Sequence, residues 1–229
     1  MSILWRKINE TFIIDDRYLF FVDGLKITLL LTFCSFLIGT AFGCILCAAN
    51  RSKSNKLKKI VWAIRTVFME MPTLVLLMLL VYIVFGQTAL PVIGGVIVGL
   101  TLKAGSYLSV IFDTALDAVS KGEIEAARTL GMTRFQAFAY VALPQAVKKA
   151  LPVYKNQFIA TMQETSVVGY LAVVDLTRAA SIVTSRTLDA FFGLITVAVI
   201  YFVIGGLVKL IFRALERSVS NAPLQKRQL

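Results

Sequence analysis

The sequence predicts an all-α, polytopic membrane protein with about five transmembrane helices, its N-terminus outside and its C-terminus in the cytoplasm. Three observations carry this reading. Of the 229 residues 58% are hydrophobic, above the usual share of a soluble domain. The apolar residues fall in runs long enough to cross a bilayer, separated by short polar breaks. The basic surplus, a net charge of +11, is concentrated in alternate breaks, the distribution expected of membrane topology rather than of a nucleic-acid surface.

Residues 1–23 mix apolar and charged positions, with Trp5, Ile8, Phe12, Tyr18 and Phe20 suited to an interfacial helix. Asp15, Asp16 and Arg17 interrupt what a signal peptide would keep apolar. The first span is Leu25 to Ala49, roughly 37 Å at 1.5 Å per residue. Gly39 and Gly43 within it form a GxxxG pair, which permits close helix approach. Cys44 and Cys47 match CxxC, but inside an apolar span they read as packing rather than redox chemistry. Arg51, Lys53, Lys56, Lys58 and Lys59 follow without an acid and place this loop in the cytoplasm. The second span, Ile60 to Phe85, should kink at Pro72, just after Glu70. A short uncharged outer loop leads to the third span, Pro91 to Phe112, thinned by Gly94, Gly95, Gly99 and Gly105 and carrying Lys103. Residues 113–152 return to the cytoplasm. The fourth span, Val153 to Val174, is the least apolar, and an outer loop over residues 175–189 follows it. The fifth is Phe191 to Phe212. Residues 24–217 thus form one membrane domain, and 218–229, with Lys226 and Arg227, a cytoplasmic tail.

The segment from Glu123 to Pro144 organises the rest. It alone combines charge with helical periodicity. Gly131 can take the left-handed conformation that closes a helix. Thr133 and Gln136 have capping-box spacing for a second helix, which Pro144 should stop because it has no N–H to donate. Phe135, Phe138 and Val141 recur at spacing three, an apolar stripe that needs a groove to fill. The chain has no histidine, which removes imidazole acid–base catalysis and the commonest metal ligand; it also has no P-loop for ATP.

The pattern E-A-A, three residues, G, nine residues, an aliphatic, one residue, L-P is met by Glu125, Ala126, Ala127, Gly131, Val141, Leu143 and Pro144. It resembles the cytoplasmic loop of the permease subunits of bacterial ABC importers. Gly24-Leu25 with Thr28-Leu29, Pro144-Gln145-Ala146, Leu151-Pro152, Asn156-Gln157-Phe158 and Thr165-Ser166 resemble further motifs of the polar amino acid uptake subfamily. There are departures. Met69-Glu70-Met71-Pro72 stands where that subfamily often has RGTP, Gln163-Glu164 precedes Thr165-Ser166 where it has KD, and Asp113, just after the third span, stands where it has arginine.

The resemblance implies a multi-pass protein of the bacterial inner membrane that carries out no chemical step on its substrate. Two ATP-binding cassette subunits would lie below it and bind the ATP and Mg, leaving no cofactor in this chain. A second permease subunit, identical or homologous, would lie beside it and an extracytoplasmic solute-binding protein above. Glu125, Ala126, Ala127, Arg128, Gly131, Phe135, Phe138, Leu143 and Pro144 would make the coupling helix that docks on the ATPase. Glu70, Lys103 and Glu164 are placed near the bilayer midplane, where transporter sites lie and a charge is a functional hypothesis. Glu164, with Gln163, Thr165 and Ser166, could meet the ammonium of an amino acid and Lys103 its carboxylate. Alternatively, Lys103 pairs with Glu164 or Glu70 merely to tie helices together. A self-sufficient channel or ion-coupled carrier would use the same three charges as a relay. It would leave the capped cytoplasmic hairpin without a purpose.

Overall fold

The computed structural model describes residues 3–88 and 91–221, and the basic tail residues Lys226 and Arg227 lie outside that range. Every regular element among the described residues is helical. A short α1, Ile3–Ile8, leads through a wide turn, Asn9–Ile13, and a tight one, Ile14–Asp16, into α2, Tyr18–Asn50. Helix α3, Asn55–Glu70, and α4, Thr73–Met78, follow, α4 being prolonged by a wide turn to Val84. Next come α5, Val92–Asp117, and the short α6, Lys121–Thr129, and α7, Arg134–Ala137. Helix α8, Leu143–Glu164, tightens into a turn ending at Leu171; α9, Leu176–Thr187, and α10, Ala190–Asn221, complete the chain. Three helices, α2, α5 and α10, are long and apolar enough to cross a membrane, and there are up to five spans if each of two bent helix pairs counts as one.

The bent pairs refine the expected second and fourth spans. Pro72 does not merely kink the second: the chain bends by 110° between α3 and the α4 segment. Met71 and Pro72 are both extended, so helical hydrogen bonding stops there and restarts at Thr73. The stretch expected as an outer loop, residues 175–189, folds instead as α9. Asp175 caps it by accepting from the Thr177 and Arg178 N–H groups at 3.0 and 2.9 Å. Leu176, Ala179, Ala180 and Val183 recur at helical spacing and are buried, with Phe21 and Val197 among the residues packed beside them. Gly24 and Thr28 explain why this helix sits where it does. A Cβ on Gly24 would stand 2.7 Å from the Asp175 carbonyl oxygen, and the Thr28 hydroxyl accepts the Leu176 N–H at 3.1 Å.

The α2–α5 seam is the spine of the domain. Gly39 and Gly43 face Gly105 across it, so the GxxxG pair serves packing within this chain. Outward of the seam, Leu31, Leu77, Val96, Leu100, Val168 and Leu171 form one apolar cluster. On the cytoplasmic side Phe36, Tyr154 and Phe158 pack edge to face, with Phe112 and Phe212 around them. At the outer end Lys7 pairs with Asp189 at 2.5 Å, which ties α1 to the turn before α10.

Candidate functional site

Three groups of residues gather along α5 and its cytoplasmic continuation. The first is the bent finger, α6 and α7. Helix α6 ends in a Schellman motif: Met132 N–H reaches the Ala127 carbonyl at 3.2 Å and Gly131 N–H reaches Arg128 at 3.1 Å. Gly131 stands at φ +88°, a backbone that a side chain would strain. Thr133 and Gln136 then form the expected capping box, with reciprocal bonds of 2.8 and 3.2 Å. The finger is fastened back onto the body by Gln145 donating to Glu123, by Lys149 donating to the Ala118 carbonyl, and by an alanine-rich contact of Ala115, Val119, Ala142 and Ala146.

Two expectations for this segment need correction. Pro144 does not stop the second helix. The wide turn Phe138–Ala142, in which Leu143 N–H reaches back five residues to the Phe138 carbonyl, accommodates the missing donor and the helix continues as α8. Nor do Phe135, Phe138 and Val141 form one stripe, because the wide turn changes the helical phase between them. Phe135 is 77% exposed, whereas Phe138 and Leu143 line a cavity of about 410 Å³ with Cys44, Phe112 and Tyr154. The most exposed apolar side chains of this segment are Leu130, 83% exposed, Phe135 and Tyr140. Leu130 and Tyr140 are not among the residues expected from the sequence; for Leu130 the available clue was its position beside the Gly131 bend. Glu125, Ala126 and Arg128 are exposed on α6, while Ala127 is buried against the body.

The second group surrounds the break at Pro72. Lys103 is 5% exposed and donates to the Met71 carbonyl at 2.7 Å. Tyr107, one turn further along α5, donates to the Met69 carbonyl at 3.2 Å. The broken span therefore presents backbone oxygens to α5, as unwound helices at transporter sites do. Glu164 faces the same region, within electrostatic reach of Lys103 and beside Thr73. Its Oε2 is buried without a hydrogen-bond partner. Among the described residues no contact ion pair joins Lys103 to Glu164 or to Glu70, and Glu70 is exposed at the end of α3. Thr165 turns away: it is fully buried and its hydroxyl donates to the Met162 carbonyl at 2.8 Å. Ser166 is half-buried and Gln163 exposed. The structure thus brings Lys103 and Glu164 to one place, adds Tyr107 and Thr73, and separates Thr165 from them.

The third group was missed. Asp113, 8% exposed near the end of α5, receives Asn50 at 2.8 Å, the Cys47 thiol at 3.2 Å, Arg51 at 3.2 Å and Arg65 at 2.6 Å. Arg65 also donates to the Ser109 hydroxyl at 2.8 Å. This carboxylate explains the departure from arginine at position 113, since an arginine would face two others. An arginine five residues inside an expected span was the clue, because such a charge needs a partner.

A multi-span helical body with a span broken at polar residues, and a capped finger on its cytoplasmic side, is the build of a membrane transport subunit. Residues 25–221 match the family described as "Binding-protein-dependent transport system inner membrane component", and the chain belongs to that family. It is therefore an ABC importer permease subunit of the inner membrane, working with ATP-binding and substrate-binding partners, and transport rather than catalysis is its role. It is 30% identical over 204 residues to the "Probable amino-acid permease protein YxeN" of Bacillus subtilis (strain 168), covering 87% of this chain and 91% of that one. It is 31% identical over 201 residues to the "L-cystine transport system permease protein TcyB" of the same organism, 86% of each chain being covered. Among solved structures, an "amino acid ABC transporter with histidines" superposes with a TM-score of 0.82 at 32% identity, covering 90% of this chain and 96% of that one. The inward-facing MetNI methionine ABC transporter shares the fold, with a TM-score of 0.73 at 24% identity over 87% and 96% of the two chains.

Proposed function

We propose that this permease moves a polar amino acid, with Glu164 receiving its ammonium group and Lys103 its carboxylate. The observation that carries the reading is the partnerless buried Oε2 of Glu164, set within reach of a buried lysine at a broken span. A buried carboxylate oxygen without a donor is costly, and a substrate ammonium would satisfy it. The relatives named for amino-acid or L-cystine transport support the same solute class. Lys103 spends one N–H on the Met71 carbonyl, leaving its other donors for an anionic group.

In this reading two copies of the chain, or this chain and a related one, enclose the path. Each finger docks on one ATP-binding subunit through Leu130 and Phe135. Closure of the nucleotide-bound subunits drags the fingers and switches the path between outward- and inward-facing states. A fixed polar cluster at the break supplies selectivity, and the nucleotide supplies direction.

Uptake into proteoliposomes containing the assembled transporter tests the site. Glu164→Gln and Lys103→Gln should each lower the apparent affinity for the solute by about tenfold or more, on the scale of losing a charge-assisted hydrogen bond. Normal affinity and rate in both variants would remove these residues from the site. Uptake that survives ATP depletion would instead favour an ion-coupled carrier.

A further inference from the structure

We propose that Arg65 and Asp113 form the link by which movement of the cytoplasmic finger reaches the break at Pro72. The inference rests on the docking of the finger described above. Three helices meet at this carboxylate. Asp113 belongs to α5, one turn before that helix ends at Asp117 and the chain enters the finger. Asn50 and Arg51 hold it from the end of α2, and Arg51 also reaches the Asp117 carboxylate at 2.5 Å. Arg65 holds it from α3, little more than one turn before that helix ends at Glu70.

The partners are unequal in what they join. Helices α2 and α5 already pack backbone against backbone at Gly39, Gly43 and Gly105, so Asn50 and Arg51 add to a contact that exists without them. Helix α3 is different. Val61 is its one fully buried residue among those described, and its face is otherwise largely exposed. Its polar hold on α5 near the cytoplasm, among the described residues, is Arg65, which grips the Asp113 carboxylate through one nitrogen and the Ser109 hydroxyl through another. A two-point hold of this kind fixes orientation as well as distance. Rotation or displacement at the base of α5 is then carried to α3. The end of α3 is the break where the Met69 and Met71 carbonyls meet Tyr107 and Lys103. Arg65 acts through other groups and is a positioning residue.

The test uses the assembled transporter with its ATP-binding and solute-binding partners, in a background with Cys34 and Cys44 changed to serine; Cys47, 5% exposed and itself a donor to Asp113, is kept. Glu70→Cys reports the break through its rate of labelling by a water-soluble maleimide. A second reporter, a photo-cross-linker at Phe135, records docking of the finger. With Arg65 intact, ATP binding should change the labelling rate at residue 70 at least threefold. Arg65→Gln should leave docking intact, abolish that change, and lower the solute moved per ATP hydrolysed by about fivefold. Arg65→Lys, which keeps the charge, should recover part of both, and it stands in should the glutamine variant not accumulate. A wild-type ATP response persisting in Arg65→Gln, with docking intact, overturns the link alone. Absence of the cross-link with Arg65 intact overturns the docking reading beneath it.

Discussion

Replacing Gly131 by valine should cut ATP-driven uptake by about tenfold or more while leaving the amount of chain in the membrane unchanged. The reason lies in the backbone alone. Gly131 stands at φ +88° and a Cβ there would meet nothing within 4 Å, so no clash contributes. Holding a β-branched residue in that region costs on the order of 1–3 kcal/mol. The strain falls on the turn that sets the angle between α6 and α7, whose Schellman and capping-box bonds otherwise agree on one geometry. Only the fraction of fingers still in that geometry can dock, so a shift of this size removes most productive complexes. Asparagine tolerates left-handed backbone better than valine. Gly131→Asn should therefore retain a substantial share of uptake. Equal loss in both variants would show that something other than backbone conformation matters at this bend.

Gly105→Val should act on folding instead. A Cβ at Gly105 would stand 2.6 Å from Phe42 and 2.9 Å from the Gly39 carbonyl oxygen, and the second contact is backbone that cannot rotate away. The α2–α5 seam would have to open along its length, forfeiting the close packing that holds membrane helices together. Overpacking of this kind commonly costs about 1–3 kcal/mol and more where backbone is hit. Folded, detergent-extractable protein should fall at least fivefold. Gly206→Ala serves as a control, since a Cβ there meets nothing within 4 Å. Normal yield from Gly105→Val would show that the seam is looser than its geometry implies.

The chain disclosed its topology more fully than its bends. Hydropathy and the Lys/Arg breaks place the long apolar helices, because burial in lipid selects composition directly. The Gly131 turn and the Thr133–Gln136 box were legible because their chemistry is local. What escaped depends on neighbours distant in sequence. Residues 175–189 looked like a loop for want of a long apolar run, yet their helix is short and is held by Phe21 and by the Thr28 hydroxyl. Pro144 looked like a terminator because its missing donor is local, whereas the wide turn that absorbs it is set by the continuation into α8. Lys103 and Glu164 were found from depth alone, but their surroundings were not. The carbonyls that receive Lys103 and Tyr107 exist only because the chain turns by 110° at Pro72. Arg65 and Asp113 are 48 residues apart, and neither periodicity nor motif joins them.

A photo-cross-linking residue at Leu130 or Phe135, incorporated into the permease co-expressed with its ATP-binding partner, tests the central claim most directly. A cross-link to that partner, changing in yield between nucleotide-free and ATP-bound states, is the predicted result. Labelling of these positions by an impermeant reagent from the outer face, or no cross-link to a second polypeptide in any nucleotide state, would contradict the account.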